Sequence, residues 1–482
     1  MQARIPTRRS PGAAEDRSGT PMTVVRELAE FVVERSFDDL SQDAVRELKV
    51  RVLDGLGCAM GALEGEPIRM LREHLRDFGG APKATLIAAG RTAPDRAAFY
   101  NGALVRYLDF NDSYLAKGET CHPSDNLGAI LAGAEYAKRQ GSDLLVALAI
   151  AYQVQCRLSD EAPVRAKGFD HTTQGSYAVA AGVSKALGLD ASKTANAVAI
   201  AGTAFNALRV TRTGRLSHWK GLAYPNTGFG GTHAAFLAMR GITGPEEVFE
   251  GNKGFMDAIA GKFHIDWARE DLERVTRTIL KKYNAEVHSQ SATEGILELQ
   301  QEASFGPEDV QRIEIETFDV AYNIIGGGEE GAKTEVRTKE EADHSLPYIV
   351  AVALLDGTVM PDQYRPERIV REDVQRLLRK VVVVPIPEFS ARFPNEMPCR
   401  ITVHLRGGRV VATEKRDYEG FHTRPMSWEA VTHKFDTLAA PYAAAALRKR
   451  IAATVRDLEN RTVADLVKLL AGVSDKKGRS KR

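Results

Sequence analysis

Four stretches of this chain are built largely from Ala, Gly, Leu, Val and Ile, and they constrain its folding more than any other feature: GAILAGAEYA (128–137), LLVALAIAYQVQ (144–155), SYAVAAGVSKALG (176–188) and TANAVAIAGTAF (194–205). Helices so crowded with small residues can bring their axes close together, which implies a compact bundle of near-buried helices. None of these runs is long and apolar enough to span a membrane. The helical pattern runs from Pro21 to about Glu270. Thr20–Pro21 reads as a cap and first turn before Val24, Leu28, Phe31 and Val32. Ser41, with Asp43 in the first turn, reads as the cap before Val45, Leu48, Val52, Leu53 and Leu56. Ser142 or Asp143, and Asp190 or Ser192, mark two further starts.

Beyond Glu270 the periodicity changes. Asp309–Val320 alternates apolar and polar residues as a half-buried strand does, and Lys380–Ile386 is a β-branched run. RITVHLR and RVVATEKR flank Gly407–Gly408 as a hairpin, while Glu341–Leu355 and Arg371–Leu378 read as helices. A helical pattern returns after Ser427 and rejoins the first bundle. The expected fold is therefore mainly α with an α+β insertion: a helical domain from 21–272 and 426–475, and a smaller α/β domain at 273–425. Residues 1–20 and 476–482 read as disordered tails.

With 65 Lys plus Arg against 64 Asp plus Glu, composition gives no reason to expect a nucleic-acid or membrane-surface partner. Cys58, Cys121, Cys156 and Cys399 lie far apart without ligand-like spacing, so neither an iron–sulfur cluster, a structural zinc site nor a disulfide framework is expected. That cysteine usage fits a reducing cytoplasm. The first twenty residues have no apolar core for a secretory signal, and Glu15 and Asp16 count against a transit peptide.

Five segments could carry chemistry. In LDFNDSYLAKGETCHPSDNLG (108–128), a helix running on past Leu108 would place Asp109, Asp112 and Ser113 on one face, where paired carboxylates disfavour joint ionisation. His122 follows on a loop leading to a helix start that favours a carboxylate ligand. Read blandly, Asp112 and Asp125 only cap helices and His122 is a satisfied loop histidine. In LRVTRTGRLSHWKGLA (208–223), Arg209, Arg212, Arg215, His218 and Lys220 interleave with Trp219, Thr211 and two glycines, unlike an ordinary solvated helix face. A polyanionic acid needs such fixed cations, and Arg offers a fork matched to carboxylate. NAEVHSQSATEG (284–295) offers Glu286, His288 and Gln290; ADHSLPYIVAVALLDG (342–357) offers Asp343, His344 and Tyr348, although Asp343 and Ser345 are also ready caps. His171 in GFDHTTQG is a weaker fifth.

Taken together, LDFNDSY, HPSDNLGAIL, LRVTR, NAEVHSQSA and ADHSLPYIVAVALLDG resemble the MmgE/PrpD family, which includes 2-methylcitrate dehydratase, cis-aconitate decarboxylase and iminodisuccinate epimerase. The resemblance spans about Thr20 to Leu470. It implies an enzyme without metal or other cofactor, usually a homodimer, with an inserted lid-like domain. It places the family's active-site aspartate on Asp109, its hydroxyl neighbour on Ser113, its histidine on His122 and its tyrosine on Tyr348. Glu286 with His288 matches the dehydratase branch. The family lysine, counted back from Gly221, falls on Leu216, so either Arg215 or Lys220 takes that role or the role is absent.

The expected reaction removes a proton α to a carboxylate and a hydroxyl from the adjacent carbon of a small hydroxy-tricarboxylate. Arg209, Arg212 and Lys220 would stabilise the developing enediolate. His122 and His288 would serve as base and acid in an order left open, with Asp109 orienting a histidine or sharing a proton and Tyr348 protonating the leaving hydroxyl or anchoring a carboxylate. Asp112, Ser113, His171, Glu286, Gln290 and His344 would line the substrate. A decarboxylase or an epimerase would use the same residues, and a non-catalytic polycarboxylate binder would need the cations but not the histidines.

Overall fold

The computed structural model describes residues 22–116, 118–214 and 216–474. The Thr20–Pro21 cap, both tails and Arg215 lie outside the described residues. The chain is mostly helical, with a small mixed sheet in its C-terminal region. The Ala/Gly-rich runs form the helices Leu127–Tyr136, Gly141–Glu161, Thr172–Leu187 and Ala191–Ala204, and they pack with Pro94–Tyr107 and Trp219–Met239. Their small residues set the spacing: a methyl group on Gly128 would lie 2.4 Å from the Gly102 nitrogen, so only glycine admits this helix crossing.

Helix starts follow local chemistry. Ser41 accepts from the Ala44 nitrogen and Asp190 from the Lys193 nitrogen, as the sequence predicts. The Gly141–Glu161 helix starts ahead of the expected cap, because Asp143 instead takes the Gln140 backbone N–H from the third helical position. Within the described residues the first helix is Val24–Glu34, with Thr23 in the cap position.

One apolar core gathers residues from Val25 to Leu280 and again from Val431 to Val473. A second gathers Ala285 to Leu405 around the sheet, whose strands lie in the order Val381–Pro385, Val310–Thr317, Cys399–Leu405, Val410–Lys415. The Val381–Pro385 strand runs parallel to Val310–Thr317, and the two Gly407–Gly408 flanks form the expected antiparallel hairpin. The expected single helix over Glu341–Leu355 is broken into Lys339–Ala342 and Leu346–Asp356, because the Ser345 side chain caps a fresh start on the Tyr348 nitrogen. Two short hairpins, Ala84–Leu86 with Gly90–Thr92 and Tyr114–Ala116 with Glu119–Cys121, interrupt the stretch read as wholly helical. No helix among the described residues is long and apolar enough to cross a membrane.

Candidate active site

The helix Pro94–Tyr107 stops before Asp109, whose backbone sits at φ +54°, a left-handed conformation that Asp tolerates better than most residues. This turn corrects the expectation of one helical face carrying Asp109, Asp112 and Ser113. It sends the Asp109 carboxylate toward cations and the Asp112 carboxylate away, into the Ser124 N–H (3.0 Å) and the Tyr152 hydroxyl (2.7 Å). Directly afterwards, the hairpin pairs Tyr114 with Cys121, so the flanking Ser113 and His122 meet. His122 Nδ1 lies 2.8 Å from the Asp112 carbonyl oxygen and 3.1 Å from Ser113 Oγ. A carbonyl can only accept, so Nδ1 carries the proton and Nε2 is the ring's basic nitrogen. Ser113 also exchanges both backbone hydrogen bonds with Ile279, which brings Lys281 alongside Asp109.

These turns border a pocket lined by segments of both cores, whose empty space, open solvent included, is about 540 Å³. Asp109, Glu119, His122, Arg165, His171, Arg209, Arg212 and Lys220 line it from the helical core's segments, together with Arg106 and Lys281. Glu286, His288, Ile324, Glu330 and His344 line it from the other. Asp109 Oδ1 accepts from Arg106 (2.5 Å) and Lys281 (2.7 Å), while its Oδ2 lies 3.7 Å from Lys220 Nζ. Burial opposes that charge, but Arg106, Lys281 and Lys220 outweigh it and hold the carboxyl well below its usual range. Asp109 is thus a fixed anion and a poor proton acceptor. Asp112 is raised by burial, which outweighs its hydrogen bonds from Ser124 and Tyr152 and the charge of Arg51. Asp125, behind the cavity wall, is pushed up to about 7 by burial, with Arg106 3.6 Å away.

The histidines divide by their partners. Burial, then Arg106 and Lys281, lower His122 well below the usual imidazole range, so its Nε2 stays unprotonated at neutral pH. His288 Nδ1 donates to Glu286 Oε1 (2.7 Å), and the Glu286 carboxyl also accepts the His288 N–H (2.8 Å). Burial raises Glu286, yet His288 together with His344 and Lys281 more than offsets it and the group falls to about 2, a standing anion behind the ring. His171 Nε2 accepts from Arg212 (3.2 Å), whose Nε donates to Asp170 (2.8 Å), so His171 positions a guanidinium and has no free basic nitrogen. His344 Nδ1 lies 2.6 Å from Asp343 Oδ1 and 2.8 Å from Lys220 Nζ, and the same Asp343 oxygen accepts from Lys220 (2.9 Å).

Burial lowers His171 to about 3. An unfolded chain would bind a proton there near pH 6.5 and the folded one would not, so this group's contribution to stability falls as pH drops from 6.5 toward 3. Gln in place of His171 keeps an acceptor for Arg212 without titrating. Thermal melts between pH 7 and 4 are therefore expected to show His171→Gln gaining on wild type as pH falls; parallel curves would contradict this.

Asp109, Asp343 and His344 could also ligate a cation, their donor atoms lying within 4.8 Å of one another. The Lys220 ammonium already sits against both carboxylates, and an ion would have to compete with it. Of the residues singled out from sequence, Asp109, His122, His171, Arg209, Arg212, Lys220, Glu286, His288 and His344 converge on the cavity, and Ser113 backs His122. Asp112, Gln290 and Tyr348 do not line it. Gln290 accepts the Tyr283 N–H and donates to Tyr283 and Ala285 carbonyls, pinning a turn. Tyr348 is buried in the second core, its hydroxyl donating to the Gln363 carbonyl (2.5 Å). His218 is exposed beside Glu66. Sequence reasoning missed Arg106, Glu119, Arg165, Lys281 and Glu330; the one usable signal was a lone Arg within the apolar GALVRYL.

The MmgE/PrpD N-terminal domain matches residues 26–268 and the MmgE/PrpD C-terminal domain residues 283–460. Over 473 residues the chain is 27% identical to the mitochondrial 2-methylcitrate dehydratase of Yarrowia lipolytica, covering 92% of this chain and 89% of that protein. It is 29% identical to the 2-methylcitrate dehydratase of Salmonella typhimurium over 71% of this chain and 74% of that one. The cis-aconitate decarboxylase of Mus musculus is 26% identical over 82% of each.

Proposed function

The chain belongs to the MmgE/PrpD family, and from that premise we propose that it is a carbon–oxygen lyase that dehydrates 2-methylcitrate or a related hydroxy-tricarboxylate without a metal. The observation that carries this reading is the cavity in which two histidines on opposite cores, each with Nδ1 tied to an acceptor, face a set of buried cations.

His122 Nε2, neutral and basic, takes the proton α to a carboxylate. The C–H electron pair passes into an enediolate, which fixed guanidinium and ammonium groups stabilise without reorganisation. That pair then forms the C=C bond as the β-hydroxyl leaves. His288, with Glu286 as counter-charge to an imidazolium, protonates the departing oxygen, giving water. Asp109 holds Arg106, Lys281 and Lys220 in place, and Lys220 takes the part of the family lysine. Supplying the positive charge from Lys220 supports metal independence. Closure of the smaller part over the helical part would exclude water. A homodimer and a cytoplasmic location belong to the same reading, to be tested by sedimentation and by fractionation.

The test is incubation of chelator-treated protein with a panel of hydroxy-tricarboxylates and with cis-aconitate, following alkene absorbance and carbon dioxide together. Expected is alkene formation from a hydroxy acid, undiminished by chelation. Carbon dioxide from cis-aconitate without dehydration would favour the decarboxylase reading, binding without turnover a non-catalytic role, and loss of activity on chelation restored by a divalent ion would overturn metal independence.

A further inference from the structure

Most of the cavity's cations are held by carboxylates within the buried framework: Arg212 by Asp170, Lys220 by Asp343, Arg106 and Lys281 by Asp109. Arg165 and Arg209 are held differently. Arg209 Nη2 (2.9 Å) and Arg165 Nη2 (3.4 Å) both donate to one oxygen, Oε1 of Glu330. Glu330 comes from the other core, on the segment GGEEG (327–331) that follows the helical turn ending at Gly326. Gly327 (φ +109°) and Gly331 (φ +90°) on either side of it adopt backbone conformations that side chains resist, so glycine is required for this segment to reach across. The Glu330 side chain is only 7% exposed, and it lines the cavity with both arginines. Burial and then the neighbouring Arg165 weigh against the Arg209 charge, so this pair calls for an anion.

We propose that Arg165 and Arg209 form the subsite for one carboxylate of the substrate, and that Glu330 occupies this subsite as an internal competitor that the substrate carboxylate displaces. The proposal rests on the polycarboxylate reading given above. The chemistry favours exchange: both guanidiniums converge on a single Glu330 oxygen, whereas an incoming carboxylate can present one oxygen to each fork. Displacement also releases the glycine-rich segment from the helical core, so filling the subsite and freeing the loop are one event. Glu330 acts on affinity and takes no part in the proton transfers.

Calorimetric titration with tricarballylate, a tricarboxylate with no hydroxyl to eliminate, tests this. Removing the competitor in Glu330→Gln and Glu330→Ala is expected to tighten binding by about 10-fold, the factor for a subsite that is free about one tenth of the time. KM should fall in parallel while kcat is retained. Glu329→Gln, removing an equal charge from the exposed neighbouring residue, should leave affinity at the wild-type value. Arg209→Met should weaken it by at least about 10-fold, as loss of a charge-assisted pair requires. Unchanged or weaker binding in both Glu330 variants, or a fall in kcat with KM constant, would overturn the proposal while leaving the polycarboxylate site standing if Arg209→Met still weakens binding. Equal tightening in Glu329→Gln would reduce the effect to general charge and overturn it too. Absence of tricarballylate binding to every protein would overturn the functional reading and this inference with it.

Discussion

Replacing His122 with alanine is expected to lower kcat by about 10²- to 10⁴-fold, and His288→Ala to do the same, while both proteins keep their fold. The expectation rests on ring chemistry. His122 gives its only N–H to the Asp112 carbonyl and is held neutral by burial and by Arg106 and Lys281, so the nitrogen left over can only accept a proton. His288 gives its Nδ1 proton to a carboxylate held anionic, so a second proton on its ring has a counter-charge. Acid and base in one elimination act together, so the double variant should lose little more than the worse single one. Steady-state rates with circular dichroism on the same samples check this. Near-normal turnover in both single variants would remove the assignment.

Lys434→Met is expected to destabilise the protein by about 3–5 kcal/mol, the effect of leaving one member of a buried ion pair alone. Lys434 Nζ lies 2.7 Å from Asp54 Oδ1 and donates to the carbonyls of Phe110 (2.8 Å) and Lys281 (2.9 Å). Both side chains are almost fully buried. The ammonium also lies 3.6 Å from the centre of the Phe110 ring. One residue of the helix Trp428–Ala439 thus clamps the two segments that present Asp109 and Lys281. Denaturant unfolding should show the loss, and Asp54→Leu combined with Lys434→Met should recover much of it, since no uncompensated carboxylate then remains. A change below about 1 kcal/mol, the scale of an exposed pair, would contradict this account.

Those two experiments mark the boundary of what could be read from sequence. The Ala/Gly helices were legible because small residues at helical spacing leave few ways to pack, and Gly128 against Gly102 is that argument realised in distance. Ser41 and Asp190 were legible because caps act within one turn. The hairpin that joins Ser113 to His122 was not: its strands are three residues long, too short for alternation to register. Asp109 lines the cavity but without the neighbours expected for it, since a single positive φ separates it from Asp112. Nothing local marks Lys281, which stands beside Lys282 in sequence, and only the bridge between Ser113 and Ile279 carries it inside. Counting residues back from Gly221 gave Leu216, yet Lys220 itself lies against Asp343 and Asp109; contacts formed across the two cores decided its place. Tyr348 shows the converse, a motif tyrosine whose hydroxyl the fold spends on the Gln363 carbonyl.

The central claim is that imidazoles from both cores face one carboxylate-rich molecule, and histidine-selective NMR during a tricarballylate titration tests it most directly. The account predicts that the His122 and His288 ring signals, assigned from their Gln variants, shift along a single saturation curve while exposed His218 and His233 stay still. Movement of only one of the two, or separate saturation curves, would contradict it.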